Sequence, residues 1–245
     1  MKYLLLIAGI CGLIFAEPLS RNPVNNERYA RQILENSRRN FPCGWPEYGI
    51  GPIDPLFLPY FQITQRTNGV NVVVDMTNVN FLGLRHFIIE RFIFNADQTI
   101  SYTFFVDYAR MDGDHITRGS MVGIPVVNGQ GRFFSEMFNS RYHGTVRHST
   151  QPGTNFIFMV NQVTTVEIQH MTMQMTGFGA LNATVNQQVN DQIPYMIMSV
   201  EFQQQMNDML DGIILPIFNA IASGQTVNTI TNHLAFMASN PRQNC

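Results

Sequence analysis

The stretch ISYTFFVDYA at residues 100–109 places a large apolar side chain at every second position. Side chains on a β-strand point alternately to the two faces of its sheet. The spacing therefore predicts a strand with one apolar face, turned toward a core, and one mostly polar face. The expected apolar face comprises Ile100, Tyr102, Phe104, Val106 and Tyr108.

The same period of two extends on both sides of this stretch, from Val70 to about Phe178. It is clearest at residues 70–76 and 171–175, where valines and methionines alternate with mostly polar residues. Segments rich in Asn, Asp and Gly interrupt the pattern, and such residues favour turns. We expect turns at residues 95–98, 112–114 and 128–131. The region is therefore predicted to be a meander of long antiparallel strands.

After Asn182 apolar residues recur every three or four positions, which predicts a long amphipathic helix to about Ser223. Pro194 and Pro216 are expected to kink it, because an interior proline removes a backbone hydrogen bond. A second helical segment is expected at 226–238. Near the other end a short helix is expected at about 26–38, with Asn25 and Asn26 as capping residues. Residues 42–59 are interrupted by Pro and Gly and predict a packed loop.

The predicted fold class is therefore α+β. A long curved antiparallel sheet wraps around a long C-terminal helix, and a short helix lies near the N-terminus. No repeat, linker or charge run divides the chain, so residues 17–245 are expected to form a single domain.

The composition excludes several classes of partner. Of the 245 residues, 45% are hydrophobic and only 13% are charged, against roughly 25% charged in an ordinary soluble domain. The net charge of −2 provides no basic surface for nucleic acid or anionic lipid. The chain carries 23 Asn and 17 Gln residues, and these amides are expected to form the solvent face.

The first 16 residues resemble a secretory signal peptide. A short basic start precedes an apolar run at residues 3–15, which is shorter than the roughly 20 residues that cross a bilayer. We expect cleavage after Ala16 and a secreted, extracellular protein without a transmembrane segment. Cys43 and Cys245 would then be the remaining thiols. They favour a disulfide within one chain, with an intermolecular bond or free thiols as alternatives. Asn182 begins the one N-glycosylation sequence, Asn-Ala-Thr.

Motifs for catalysis and for metal binding are missing from the sequence. There is no Gly-x-Ser-x-Gly segment, no phosphate-binding loop, and no pair of histidines at ligand spacing on one face. We therefore expect a protein that is not an enzyme and that carries neither a cofactor nor a metal. The abundant Phe and Met suit a flexible apolar wall, although most of these residues are expected simply to fill the core.

Three segments resemble the insect takeout and hemolymph juvenile-hormone-binding family. Residues 49–56, GIGPIDPL, are similar to the family's Gly-Ile-Pro-Pro-Leu-Asp-Pro-Leu signature, with departures at Gly51 and Ile53. Residues 78–84 resemble its strand ending in Gly-Leu, and residues 124–131 resemble its Leu-Pro-Ile-x-Gly-x-Gly hairpin. The mite group 7 allergens are similar too, as relatives in the same tubular lipid-binding superfamily.

This resemblance implies a secreted, non-enzymatic carrier that holds a terpenoid such as juvenile hormone, a fatty acid or a similar lipid in an internal tunnel. A transient contact with a membrane or a receptor is also expected. The family's two cysteines pair near the mature N-terminus, whereas here no cysteine precedes Cys43 in the expected mature sequence, so the lid is expected to differ. The alternative is a secreted structural or surface-active protein with a filled core and no tunnel.

The candidate ligand-binding residues are those next to the signature or on the predicted apolar faces, with the tyrosine hydroxyls orienting the ligand. They are Leu56, Phe92, Tyr102, Phe104, Tyr108, Phe134, Phe138, Tyr195, Met198, Phe202, Met206 and Met209.

Overall fold

The computed structural model of the chain describes residues 23–46, 50–67 and 69–240. The strands are β1 (Leu56–Thr67), β2 (Val70–Leu82), β3 (Ile88–Phe94), β4 (Thr99–Met121), β5 (Ile124–Thr150) and β6 (Ile157–Met175). The helices are α1 (Pro23–Ser37), α2 (Asn182–Ile197), α3 (Val200–Ala222) and α4 (Ile230–Ser239). The predicted signal peptide and Cys245 lie outside the described residues, so the cleavage site and the bond between Cys43 and Cys245 stay predictions.

All strands belong to one antiparallel sheet in the order β1-β2-β4-β5-β6. The long strand β4 has two partners on one side, because β3 pairs with its first half and β2 with its second half. The inner face carries the predicted apolar residues at 70–76 of β2 and at 171–175 of β6, and α2 and α3 pack against β6. The predicted α+β class and the curved sheet around C-terminal helices are confirmed.

The alternation along β4 and β5 changes phase in mid-strand. Val106 is buried on β4, Asp107 and Tyr108 both face outward, and Ala109 is buried again. The neighbouring strand changes phase opposite this point, at Asn139, which has a φ of 53°. Pairing continues through the change, with Tyr108 beside Phe138. Beyond this point, even-numbered residues of β4 such as Tyr108, which the sequence pattern assigned to the core, therefore lie on the outer face.

Two of the predicted turns are wrong, because residues 112–114 lie inside β4 and residues 128–131 inside β5. Their glycines make room for side chains instead of reversing the chain. A Cβ on Gly129 would overlap the ring of Phe178, and one on Gly113 would press on the ring of Phe133. The predicted turn at 95–98 does connect β3 and β4.

The strand β1 was not expected, since Pro59 and the preceding prolines favoured a loop. Pro59 is tolerated because β1 is the edge strand of the sheet, where a missing backbone N–H can face away from the neighbouring strand. The register of β1 with β2 continues on both sides of Pro59.

The predicted long C-terminal helix is two helices. Ser199 ends the first and caps the second, because its side-chain oxygen accepts a hydrogen bond from the Phe202 backbone N–H at 3.2 Å. Pro194 lies in the last turn of α2, and Pro216 lies inside α3. The predicted N-terminal helix begins earlier, at Pro23, so Asn25 and Asn26 are helical residues and not caps.

Amide side chains from α2 and α3 pair with the free edge of β6, in place of a further strand. Asn186 accepts from the backbone N–H of Met175 at 2.7 Å and donates to the same residue's carbonyl at 2.9 Å. Asn190 binds Met173 in the same way, at 2.9 and 2.8 Å.

Three amides of α3 continue this pattern along the strand. Gln203 pairs with Val166 and Asn219 with Met159, while Asn207 accepts from the N–H of Thr164. We call these five amides the amide ladder: Asn186, Asn190, Gln203, Asn207 and Asn219. The expectation that the amides serve as the solvent face is therefore wrong for this set.

Candidate functional site

An apolar cavity of about 120 Å³ lies between the sheet, α1 and α3. We call it the central cavity. Every side chain that lines it is hydrophobic except for the hydroxyl of Tyr142, whose pKa is raised to about 12 by burial. Its lining residues are Leu34, Phe41, Ile53, Leu84, Phe87, Phe104, Val106, Tyr142, Leu210 and Phe218.

Further cavities share walls with the central cavity. A solvent-open loop cavity of about 510 Å³ is lined by residues 50–53 and 55–57, by Pro42, and by Gly212 and Pro216 of α3. An inner cavity of about 30 Å³ shares Leu34 and Phe218 with the central one and lies against Phe92. The central cavity therefore shares Ile53 with the loop cavity, and Leu34 and Phe218 with the inner cavity.

Asp54 fixes the signature loop to the cavity wall. It is 6% exposed, and its two carboxylate oxygens accept the backbone N–H groups of Gly83 and Arg85 at 3.0 and 2.9 Å. These bonds hold the short helical turn that places Leu84 and Phe87 on the central cavity. A buried carboxylate with such donors is well satisfied, which explains why the acid lies in an apolar neighbourhood.

Tyr102 lies next to Phe104, a residue that lines the central cavity. Its ring stacks on Phe104 with centroids 4.9 Å apart, and its hydroxyl bonds Thr164 Oγ1 at 2.8 Å. Burial raises the pKa of Tyr102 to about 12, so the hydroxyl keeps its proton at neutral pH.

The structure brings some of the predicted site residues together. Phe104 lines the central cavity, Phe92 the inner cavity and Leu56 the loop cavity, and Tyr102 packs directly behind Phe104. Three predicted residues of α3 pack against the core without lining these three cavities: Phe202, Met206 and Met209.

Five predicted site residues lie on the outside and are corrected here. The Tyr108 hydroxyl donates to Glu136 on the outer face, and the Phe138 ring packs beside Tyr108 at a tilt, with ring centroids 5.3 Å apart. Both follow the phase change at Asp107 and Asn139. Phe134 is outside because its neighbour Phe133 takes the inward position.

The other two corrections concern the helices. Tyr195 is 53% exposed and Met198 is 72% exposed. They lie at the end of α2, where the chain breaks before α3 begins. A single continuous helix would have turned a different face toward the sheet at this point.

Most of the central cavity was missed by the sequence interpretation. Phe41, Ile53 and Phe87 belong to loops, where no periodicity marks an inward side chain. Leu210 and Phe218 are eight residues apart on α3, which places them on one helix face, but the sequence does not say which sheet residues face them.

The described residues also bear on metal groups, membrane-spanning helices and the surroundings of Asn182. Among the described residues, no group of three His, Cys, Asp or Glu side chains could hold a metal ion. No helix in residues 23–46, 50–67 or 69–240 has the length and apolar character needed to span a membrane. Asn182 starts α2 and its carboxamide oxygen accepts from the Phe178 N–H at 2.8 Å. Its glycosylation stays a prediction.

Comparison with known proteins places the chain in a family. The family model described as haemolymph juvenile hormone binding protein matches residues 5–232. The crystal structure of Takeout 1 from Epiphyas postvittana is similar, with a TM-score of 0.60 and 18% identity, over 78% of this chain and 87% of that one. This likeness agrees with the fold described above.

A lipopolysaccharide binding protein also matches, with a TM-score of 0.35 and 10% identity, over 65% of this chain and 35% of that one. No curated protein sequence matches the chain.

Proposed function

Because the chain belongs to the haemolymph juvenile hormone binding protein family, we propose that it is a secreted, non-enzymatic carrier for an apolar small molecule. The ligand would be a terpenoid, a fatty acyl chain or a similar lipid, held in the central cavity. The observation that carries this proposal is the continuous hydrophobic lining between sheet and helices. Export is proposed from the apolar segment at residues 3–15.

Burial of apolar surface supplies the binding energy. Removing about 300 Å² of ligand surface from water contributes about 7 kcal/mol before the cost of association is subtracted. A cavity of this kind binds by size and hydrophobicity, and few polar groups are needed to orient the ligand.

The size of the cavities defines how such a ligand would lie. Sites for drug-sized ligands have roughly 300–1,000 Å³, whereas the central cavity has about 120 Å³. The loop cavity is larger, about 510 Å³, and Ile53 lines both cavities. We therefore propose that the ligand displaces the Ile53 side chain and extends from the central cavity into the loop cavity.

A substitution that fills the central cavity tests this proposal. Leu84→Trp, on the short helical turn Leu84–His86, adds an indole to the wall and is expected to weaken binding of a fluorescent fatty acid more than tenfold. Leu181→Trp is the matched control, because Leu181 lies on a similar short turn, Gly179–Leu181, and is 43% exposed. The control is expected to bind like the unmodified protein.

Two outcomes would contradict the proposal. One is an unmodified protein without saturable binding and without co-purified lipid in its mass spectrum, which is the behaviour expected of the structural alternative with a filled core. The other is unchanged affinity in a folded Leu84→Trp variant, which would place the ligand elsewhere.

A further inference from the structure

A further cavity of about 120 Å³ is lined by the C-terminal turns of α1 and α4, by the end of α3 and by the loop that contains Trp45. We call it the helix-end cavity. Among the described residues, it shares Leu34 alone with the central cavity. Its apolar wall includes Trp45, Ile221 and Phe236, and its polar wall includes Asn36, Ser37 and Asn240.

The helices α1 and α4 run parallel, so that both C-terminal ends lie at this cavity. Near the starts of the two helices, Thr231 Oγ1 donates to Asn26 Oδ1 at 2.8 Å. Near their ends, Gln32 and Asn36 both donate to the carbonyl of Ala238, at 3.2 and 3.3 Å. The C-terminal end of a helix carries a partial negative charge, because its last carbonyl groups lack partners within the helix. Two such ends at one cavity favour a ligand with a positive charge.

The polar wall of the helix-end cavity offers hydrogen-bond acceptors, because its donors are already used. Asn36 and Asn240 donate from Nδ2 to backbone carbonyl groups of α4, and the Ser37 hydroxyl donates to one of α1. A carbonyl group can only accept, so these bonds fix the orientation of both amides and leave each Oδ1 to a ligand. Asn36 and Ser37 are partly exposed and Asn240 is exposed, so these side chains can be reached from solvent.

Among the described residues that line the helix-end cavity, none supplies a positive charge of its own. Neither α1 nor α4 has a basic residue in its last turn. Arg38 and Arg39 follow α1, but Arg38 lies over the Phe87 ring at 4.7 Å and pairs with Glu35 at 3.4 Å, and Arg39 is exposed. His233 lines the cavity, and burial lowers its pKa, so that its ring is neutral at pH 7. The position near the two helix ends is therefore open to a cation from outside the chain.

Two aromatic side chains complete the helix-end cavity. Trp45 is held in place by paired backbone hydrogen bonds with Ile50, at 2.7 and 3.1 Å, and its ring packs edge-on against Phe41 with centroids 5.9 Å apart. Phe236 is 65% exposed at the rim. Aromatic faces attract cations. Because a cavity of roughly 150 Å³ holds a benzene ring, the helix-end cavity has room for an apolar body of about one ring.

We propose that the helix-end cavity binds a protonated organic amine with an apolar body of about one ring. The ammonium group donates hydrogen bonds to the polar wall near the two helix ends, and the apolar body packs against Trp45 and Ile221. This second ligand site goes beyond the carrier function proposed above and does not depend on it. A carboxylate is disfavoured, because the helix ends and the acceptor oxygens repel it. A neutral alcohol donates one hydrogen bond and gains little from the helix ends.

Three probes with one carbon skeleton test this charge preference: 2-phenylethylamine, 2-phenylethanol and phenylacetate. Each is titrated at pH 7 into the unmodified protein, and the emission of Trp45, the only tryptophan of the sequence, reports binding. Equilibrium dialysis measures the same binding without relying on the tryptophan. We expect the amine to bind about tenfold more tightly than the alcohol, from the helix ends and the aromatic faces together, and phenylacetate not to bind.

A substitution at the rim assigns the preference to this cavity. Phe236→Leu keeps an apolar side chain but removes the aromatic face, so the amine is expected to bind about threefold more weakly while the alcohol is nearly unaffected. Phe156→Leu is the matched control, because Phe156 is also exposed, at 40%, and lies outside the lining of the helix-end cavity. The control is expected to bind all three probes like the unmodified protein.

A fluorescent fatty acid separates this site from the proposed carrier site. We expect the amine to bind without displacing the fatty acid. Binding of the amine only in competition with the fatty acid would place it in the central cavity and overturn the second site. If the amine binds and the fatty acid does not, the carrier function is wrong and the second site stands.

The remaining outcomes concern the amine alone. Absence of saturable amine binding in dialysis overturns the site, and an alcohol that binds as tightly as the amine overturns the charge preference. An amine affinity that is unchanged in Phe236→Leu overturns the assignment to the helix-end cavity. If that variant does not fold, the three probes and the fatty acid on the unmodified protein still decide the proposal.

Discussion

At the scale of single residues, the position of Tyr102 depends on the absence of a side chain at Gly144. Tyr102 lies on β4 and its partner Thr164 on β6, with Gly144 of β5 between them. The ring crosses β5 over this glycine, where an added Cβ would overlap ring atom Cζ and the hydroxyl. The glycine thus allows a hydrogen bond between side chains two strands apart.

Gly144→Ala should therefore displace the Tyr102 ring and break its bond with Thr164. We expect a loss of about 1–3 kcal/mol in the free energy of unfolding, measured in urea, since overpacking of a buried site has this cost. Gly212→Ala on α3 is the control, because its added Cβ meets nothing within 4 Å. There alanine should raise stability by up to about 1 kcal/mol. Equal stability of the two variants would show that the ring is not confined by residue 144.

At the scale of elements, α2 and α3 are bound to the sheet by the amide ladder as well as by apolar contacts. A side-chain amide offers one donor and one acceptor in a plane, as a peptide group does. Asn186 and Asn190 are one helical turn apart, and they meet Met175 and Met173, which are two residues apart on the strand. Four helix residues rise about 6.0 Å and two strand residues about 6.6 Å, so the two repeats run nearly in step.

Asn190→Leu should leave the N–H and C=O groups of Met173 without their partners. We expect a loss of about 2 kcal/mol in unfolding free energy, because two backbone groups lose their hydrogen bonds, and faster hydrogen exchange at the Met173 amide. Gln187→Leu, at an exposed position of the same helix, is the matched control and should change neither quantity appreciably. Unchanged exchange at Met173 in Asn190→Leu would mean that the ladder does not protect this edge.

The elements also show how far the sequence could predict the structure. Alternation identified β4 and placed Tyr102 and Phe104 correctly, because it reflects burial directly. It misplaced Tyr108, because the phase change at Asp107 alters the backbone without interrupting the polar–apolar pattern. The amides of α2 were visible in the sequence at four-residue spacing, but only the fold reveals the strand edge that they meet.

At the scale of the whole molecule, buried histidines make stability depend on pH. His148 is 3% exposed, and burial, with a smaller contribution from Arg147, lowers its pKa to about 4. Burial also lowers the pKa of His115 and of His233. The unfolded chain titrates these groups near pH 6.5, so it binds more protons than the folded chain below that pH. The contribution of these buried histidines to the free energy of unfolding is therefore present above pH 6.5 and is lost as the pH falls toward 4.

We expect the free energy of unfolding to fall by about 1–2 kcal/mol between pH 6.5 and pH 5, measured in urea at both values. His148→Gln should reduce this fall, because glutamine takes up no proton. His86→Gln, at an exposed position, should leave it unchanged. A His148→Gln variant with the full pH dependence would show that His148 is not the group responsible.

The candidate site is also a property of the whole molecule, which limits what the sequence could reveal of it. Leu34, Ile53 and Phe218 meet at the central cavity from three distant parts of the chain. Composition and periodicity predicted an apolar interior with Phe and Met. The packing of α1 and of the signature loop decides which side chains enclose an empty volume. No periodicity in the sequence of either segment tells which residues of the sheet it contacts.

The amide ladder has a consequence for how copies of the protein meet one another. A sheet ends in strands whose free N–H and C=O groups can recruit a strand from a second molecule, the first step of fibrous aggregation. Along β6 many of those groups are already bound to Asn and Gln side chains of the same chain. At the opposite border β1 contains Pro59, which cannot donate to a newcomer. The sheet therefore discourages self-association although it carries few charges. Side-chain amides occupy the hydrogen-bonding groups at the β6 border as another strand would, but they offer no backbone edge to which a further strand could add.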